Sequence, residues 1–167
     1  MSVAQIQFSG NIPNPLDILE AMFTANEWHF ERSDNDEIIV ETSGGWCDYH
    51  MHFVWRGELH ALYFTCSFDL RIPPERRSEM NNLLAMINEK MWMGHFDFSQ
   101  ETGAPTYRNT VPTRGLKSLA VEQLEDMMDI ALAECERFYP AFQYMLWAGH
   151  KPEDAIAAAL LDCVGEA

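Results

Sequence analysis

Apolar and polar residues alternate strictly through the middle of the chain, in two segments that Arg56–Gly57 separates. In each segment the apolar positions lie two residues apart, so that they share one face of a β-strand. The apolar positions are Tyr49, Met51, Phe53 and Trp55 in the first segment and Leu62, Phe64, Cys66, Phe68 and Leu70 in the second. The pattern predicts an antiparallel hairpin with a tight turn at Arg56–Gly57, one face on a core and the other in water.

Apolar residues at helical spacing predict helices on both sides of this hairpin. Asn14–Pro15 is typical of a cap and first turn, Pro73–Pro74 opens the next helix, and Ser118 is the expected cap of the third. Pro140 is expected to kink or restart the third helix, and Ala155–Cys163 forms the last one. The stripes of the second and third helices are Met80, Leu83, Leu84, Ile87 and Met91, and Val121, Leu124, Met128, Ala131, Leu132 and Cys135.

Four further segments have strand composition. They are Trp28–Arg32, Glu37–Thr42, His95–Gln100 and Pro105–Val111, and the last two form a second hairpin around Gly103. The predicted order is therefore α-β-β-β-β-α-β-β-α-α. An antiparallel sheet with helices gathered on one face is an α+β two-layer sandwich.

The chain carries 26 acidic residues against 11 basic ones, a net charge of −15. A field of this sign repels nucleic-acid phosphates and anionic membranes, so we expect neither as a partner. The one basic cluster consists of Arg71, Arg76 and Arg77, and the neighbouring Glu75 and Glu79 reduce its positive charge. Solubility and self-repulsion account for most of the charge.

The length of 167 residues fits one domain, here residues 1–167, with a core over 14–148 and a helical appendage over 149–167. The first residues lack a basic region followed by an apolar stretch, so we expect no signal peptide. The longest nearly apolar run, Ala155–Leu161, is too short to span a bilayer. A cytoplasmic protein with reduced cysteines is expected.

Histidines on the polar face of the first hairpin are the candidates for a ligand or metal site. His50 and His52 are two residues apart and share that face, and His60 on the partner strand would complete a set of three imidazoles. Polar residues on a solvated sheet face are the simpler interpretation. We therefore predict no metal and no cofactor, and keep a small-ligand or metal-binding role for the His50/His52 face as the alternative function.

The sequence points to no catalytic group. Cys66 alternates with Phe64 and Phe68, which places its thiol in the core, where it is inert. Cys47 follows Gly44–Trp46 and is expected to be more exposed, yet no base is placed with it. Neither a Gly-x-Ser-x-Gly elbow nor a glycine-rich phosphate loop occurs. We predict that the protein is not an enzyme.

Aromatic and methionine side chains exceed what one small sheet needs to cover itself, and such surfaces suit protein partners. At least half of them belong to a large core. The candidate partner or dimer contacts are Phe142, Tyr144, Trp147, Trp92 and Arg108. The segment Phe142–Trp147 is expected either to meet another copy or to hold the last helix. Arg108 faces away from the core and would form an internal ion pair or bind a partner's carboxylate.

Several segments, in their order and spacing, resemble the YbjN family of bacterial proteins, described as sensory transduction regulators. Ile87–Asn88 to Gly94–Phe98 is similar to the family's central helix running into its second hairpin, and Thr106–Asn109 to its tyrosine–arginine strand. Two further segments, Phe138–Phe142 and Trp147–Ala155, resemble the corresponding segments of family members from α-proteobacteria. The resemblance extends from about Pro15 onward.

The resemblance implies a fold similar to the type III secretion chaperones, commonly dimeric, with no established reaction, cofactor or catalytic residue. We therefore expect a non-catalytic, chaperone-like regulatory module that works through protein–protein contacts as a homodimer. The identity of its partner does not follow from the residues.

Overall fold

The computed structural model describes residues 13–34 and 36–164. Within these ranges helices and strands follow one another in the predicted order, with ends that differ by a few residues. The helices are α1 (Pro15–Ala25), α2 (Arg77–Asn88), α3 (Val121–Ala148) and α4 (Pro152–Val164). The strands are β1 (Phe30–Ser33), β2 (Glu37–Ser43), β3 (Asp48–Arg56), β4 (Ala61–Phe68), β5 (His95–Phe98) and β6 (Pro105–Pro112).

The six strands form one sheet in the order β1-β2-β3-β4-β6-β5, and every neighbouring pair is antiparallel. Phe53 of β3 meets Phe23 of α1, and Phe68 of β4 meets Phe142 of α3, so these helices pack on the same face of the sheet. The fold is α+β, as predicted.

The alternation in the first hairpin determines which face is buried. Residues of β4 alternate between half-buried and buried along the whole strand, and the buried ones are the predicted apolar set. On the opposite face of β3, His50 is exposed and His52 half-buried. Val54 shares that open face and is nevertheless buried, so the face is not uniformly wet.

The turn of this hairpin is longer than predicted. A 3₁₀ turn over Gly57–Leu59 follows Arg56, and His60 takes a left-handed conformation with φ of 47° before β4 begins. The backbone carbonyl of His60 accepts hydrogen bonds from the amide and the hydroxyl of Thr113. His60 therefore belongs to the turn and not to the strand, which corrects the expectation that it lies beside His50 and His52.

The start and middle of α3 correct three further predictions. The helix is capped at Ala120, whose amide donates to the side-chain oxygen of Gln123 over 3.0 Å, and not at Ser118. Val121, predicted to be in the buried stripe, is exposed. Pro140 lies inside a continuous helix, so the helix does not restart there. Because Phe138, Tyr139, Ala141, Phe142 and Met145 around it are buried, their packing outweighs the roughly 3 kcal/mol that an internal proline costs.

The last helix contributes to the common core. Ala155, Ile156 and Ala159 of α4 are buried in the same cluster as the sheet residues. Residues 1–12, for which no signal segment is predicted, and residues 165–167 of the predicted appendage lie outside the described residues. None of the helices in the described part of the chain is long and apolar enough to cross a membrane.

Candidate partner-binding site

The loop between α2 and β5 presents a tryptophan to solvent. Trp92 is 99% exposed and its neighbour Met93 is 48% exposed. The loop is held at its end, because the Tyr107 hydroxyl donates a hydrogen bond to the Met93 carbonyl over 3.1 Å. On the helix side, the Asn88 side chain bonds both the amide and the carbonyl of Phe96. Trp92 is therefore exposed on a fixed loop.

Gly94 lets the chain turn from this loop into β5. Its φ is 66°, a region that L residues rarely adopt. A Cβ atom built on Gly94 would lie 2.4 Å from the Tyr107 side chain and 2.7 Å from the Arg108 carbonyl oxygen. Only glycine fits this close approach of the loop to β6.

A first cleft of about 250 Å³ opens beside Met93, between β6 and the start of α3. It exists because β5 pairs only with Pro105–Arg108, whereas β6 continues to Pro112 and is uncovered beyond that point. Its lining is Met93, Asn109, Val111, Leu119, Gln123, Leu124, Asp126 and Met127. A cavity of about 150 Å³ already accepts a benzene ring, so this cleft has room for a large apolar side chain.

A second cleft of about 230 Å³ lies between α1 and the same part of α3. The Trp28 ring closes one side and stacks on Phe23, with ring centroids 5.6 Å apart. The cleft is lined by Met22, Phe23, Asn26, Trp28, Glu125, Met128 and Asp129. Both clefts thus border the first turns of α3, one on each flank.

The predicted contact residues at the end of α3 lie elsewhere. Phe142 is fully buried between Phe68 and Phe96, so in this structure it offers no exposed area to a partner. Trp147 is 72% exposed, and the Tyr144 ring contacts His150. The segment therefore splits into a core residue and surface residues.

Trp92 and Trp147 belong to different regions. Met93 lines a cleft with Met127, whereas Trp147 is two residues beyond Met145 on the same helix. At 1.5 Å per residue, Met127 and Met145 are about 27 Å apart along α3. The predicted candidates do not form one compact surface, and the cleft residues Leu119, Leu124 and Met127 were not among them.

Arg108 projects from the open face of the sheet, as predicted. Its side chain donates to the Tyr63 hydroxyl, and its Nε lies 3.4 Å from Asp97 Oδ2. Both Arg108 and Asp97 are partly exposed. The internal ion pair is therefore present.

The histidines of the open face are each paired with a glutamate of β2. His50 Nδ1 lies 3.3 Å from Glu41, and His52 Nε2 lies 3.3 Å from Glu37. They do not line either cleft, since both clefts are on the helical side of the sheet. No group of three metal-binding side chains occurs within residues 13–34 and 36–164.

The free cysteines Cys47, Cys66 and Cys135 lie in the core or pack against it. Cys66 is buried, as predicted. Burial raises the pKa of Cys47, and the carboxylates of Glu136 and Asp48 raise it further. The neighbouring Cys66 thiol and burial raise the pKa of Cys135 well above its usual range. Raised pKa values reduce the thiolate fraction that a nucleophile requires.

The sequence model of one family matches residues 15–144, more than half of the chain, and that family is described as "Putative bacterial sensory transduction regulator". The chain belongs to the YbjN family. The match begins at the first residue of α1 and ends within α3, so it includes the sheet and both clefts. No curated protein matches this YbjN-family chain.

Two solved structures have similar folds. The crystal structure of YbjN from E. coli, titled a "putative transcription regulator", has a TM-score of 0.52 and 10% identity, over 71% of this chain and 84% of that one. The crystal structure of the ExsC–ExsE complex gives a TM-score of 0.49 and 15% identity, over 76% of this chain and 92% of that one. The E. coli structure shows that the YbjN-family fold is shared.

Proposed function

We propose that this YbjN-family protein is a non-catalytic regulatory module of the cytoplasm that binds a protein partner. The observation that supports it is the fully exposed Trp92 on a fixed loop beside an apolar cleft. Tryptophan is enriched among the residues that dominate binding energy at protein interfaces. The partner would cover Trp92 and Met93 and fill the first cleft.

The energy available from this contact is substantial. A tryptophan side chain buries roughly 150–250 Å² when covered, and each square ångström of apolar surface contributes about 25 cal/mol. Covering Trp92 alone would therefore contribute up to about 4–6 kcal/mol before the ordering costs of association. Because Gly94 and Tyr107 already fix the loop, little of that is lost in ordering it.

The absence of catalysis is proposed from the chemistry of the candidate nucleophiles. The thiols of Cys47 and Cys135 have raised pKa values, and Cys66 is buried. The histidines of the open face are paired with glutamates instead of facing a thiol. These arrangements favour a binding role.

The chaperone-like character and the homodimer are proposed from the family resemblance alone. Light scattering of the purified protein tests the dimer, which would have twice the chain mass of 19.2 kDa. A stable dimer should bury more than about 1,000 Å² in total. A monomer at micromolar concentration would refute the dimer and leave the partner proposal intact.

Affinity capture with matched surface variants tests the partner proposal. We expect a tagged wild-type protein to recover one protein reproducibly from its native cytoplasm, and Trp92→Ala to reduce its affinity by about a hundredfold, as for a central interface residue. Leu59→Ala is the control, because Leu59 is 70% exposed and lines neither cleft. Its affinity should be unchanged.

Trp147→Ala tests the other candidate region. If Trp147→Ala abolishes recovery and Trp92→Ala does not, the binding site lies at the end of α3 and the assignment to the cleft is wrong. If no protein is recovered reproducibly, the partner-binding function itself is refuted.

A further inference from the structure

The first turns of α3 carry a row of acidic side chains on their outer face. Glu122, Glu125, Asp126 and Asp129 are at positions i, i+3, i+4 and i+7, which share one face of a helix, and all four are exposed. Leu124, Met127 and Met128 between them are buried against the core. We call these four residues the acidic ridge. Its spacing is visible in the sequence itself.

The acidic ridge separates the two clefts. Asp126 lines the first cleft, and Glu125 and Asp129 line the second. An α-helix with its side chains is about 10–12 Å across, so clefts on its opposite flanks are about that far apart in a straight line. Each cleft therefore combines apolar side chains with an acidic edge that faces the other cleft.

Charge complementarity indicates what would cover this surface. Four carboxylates at close spacing repel one another, and a second copy of a chain with net charge −15 would bring further negative charge. The loops before β5 and α3 contain three basic residues, Lys90, Arg114 and Lys117, against the four carboxylates of the ridge. A cationic segment would neutralise it, whereas an acidic or neutral one would leave carboxylates unpaired at the interface.

We propose that the acidic ridge and the two clefts bind one basic segment of the protein partner, which crosses α3 and inserts an apolar side chain into each cleft. This rests on the proposed function and specifies the chemistry of the partner. An extended chain advances about 3.3 Å per residue, so anchors four residues apart span about 13 Å and reach both clefts. Lysine or arginine between the anchors would lie over the acidic ridge.

A designed peptide tests the proposal directly. The probe is a fluorescein-labelled peptide with two phenylalanines four residues apart, three lysines between them, and glycine–serine flanks. Its affinity for the full chain is measured by fluorescence anisotropy. We expect saturable binding that weakens at least about tenfold when the lysines become glutamates or the phenylalanines become alanines.

Charge reversal distinguishes the acidic ridge from the bulk charge. The double variant Glu125→Lys/Asp126→Lys should lower the affinity for the peptide by at least about tenfold. Glu58→Lys/Glu101→Lys changes the net charge equally at exposed positions away from the clefts and should have little effect. Equal losses in the two variants would overturn the proposal, since the peptide would then sense only the net charge. Circular dichroism confirms that each variant is folded.

The clefts are tested by shortening one side chain in each. Met22→Ala/Met93→Ala removes apolar contacts from both clefts and leaves the acidic ridge unchanged. We expect weaker binding of the phenylalanine peptide and no change for its alanine counterpart. Equal effects on both peptides would overturn the role of the clefts as anchor sites.

The failure of this inference and that of the proposed function give different results. If a partner depends on Trp92 but the peptide does not bind, the protein binds a partner by other chemistry and only the basic segment is refuted. If the peptide binds as described but no partner is recovered, the surface binds basic segments as proposed, and the proposed regulatory function is refuted. If Glu125→Lys/Asp126→Lys instead converts a dimer to a monomer in light scattering, the surface binds a second copy and the proposal is overturned.

Discussion

The backbone amide of Gly45 donates a hydrogen bond of 2.7 Å to the carboxylate of Glu136, which is 91 positions later in the chain. This bond joins the loop between β2 and β3 to the middle of α3. The approach is close, since a Cβ atom built on Gly44 would lie 2.1 Å from Glu136 Oε1 and 2.2 Å from the Tyr49 ring. Next to it, the Trp46 ring stacks on Tyr139 with centroids 6.0 Å apart.

Replacing Glu136 should therefore destabilise the fold. Hydrogen bonds to charged groups contribute roughly 1.5–3 kcal/mol, and we expect Glu136→Ala to lower the free energy of unfolding by about 1–2 kcal/mol because the site is half-buried. Glu136→Gln keeps an acceptor for the Gly45 amide and should lose less than half of that. Urea unfolding followed by tryptophan fluorescence measures both. Equal losses in the two variants would show that the hydrogen bond is not the main contribution.

Two glycines with left-handed backbones make a matched pair. Gly94 has φ of 66° and no room for a side chain, whereas Gly115 has φ of 86° and open space, with no atom within 4 Å of where a Cβ would lie. Gly115→Ala should lower the free energy of unfolding by about 1–2 kcal/mol, the cost of a left-handed backbone for an L residue. Gly94→Ala adds a clash with Tyr107 and the Arg108 backbone and should cost at least about 1 kcal/mol more.

Chemical denaturation of both alanine variants tests this difference. The Gly94 variant should also bind the partner less well, because its clash displaces the loop that carries Trp92 and Met93. Equal free energies of unfolding for the two variants would mean that Tyr107 and the loop shift easily, contrary to this prediction.

The sequence predicted the elements of the fold well, because periodicities of 2 and 3.6 record which face of each element is buried. The stripe of α2, from Met80 to Ile87, and the alternating residues of β4 are all buried as expected. The ends of the helices and strands depend on local contacts that the periodicity of apolar residues does not record. Serine is a favoured N-cap residue, which is why Ser118 was predicted. The N-cap of α3 is instead Ala120, whose amide donates to the side-chain oxygen of Gln123.

The candidate site was harder to predict, since it depends on how elements of different length meet. The first cleft arises because β5 is shorter than β6, and no local pattern gives that difference. Phe142 illustrates the same point. Its aromatic character suited either a core or a surface, and only the approach of Phe68 and Phe96 decides for the core.

Arg108 should contribute modestly to stability and little to partner binding. Its ion pair with Asp97 is partly exposed, and such pairs typically contribute about 0–1 kcal/mol. Arg108→Ala also loses the Tyr63 contact, so we expect a loss of up to about 1 kcal/mol in urea unfolding. Asp97→Asn removes the ion pair alone and should cost less. A large loss of partner affinity in Arg108→Ala with Asp97→Asn unaffected would instead identify Arg108 as a partner contact.

Cys47 should react slowly with alkylating agents at neutral pH. Burial and the nearby carboxylates raise the pKa of its thiol, so the thiolate fraction at pH 7 is lower than that of an ordinary cysteine. Since only the thiolate reacts, the rate with iodoacetamide should rise with pH and level off at a higher pH than in the unfolded protein. Peptide mapping by mass spectrometry follows Cys47 separately from the other cysteines, and the urea-unfolded protein serves as the reference.

Glu136→Gln removes one of the charges that raise the pKa of Cys47 and should accelerate the reaction at pH 7, although burial remains the larger cause. A folded Cys47 that reacts as fast as the unfolded reference at pH 7 would contradict the raised pKa of its thiol and reopen a nucleophilic role for this residue.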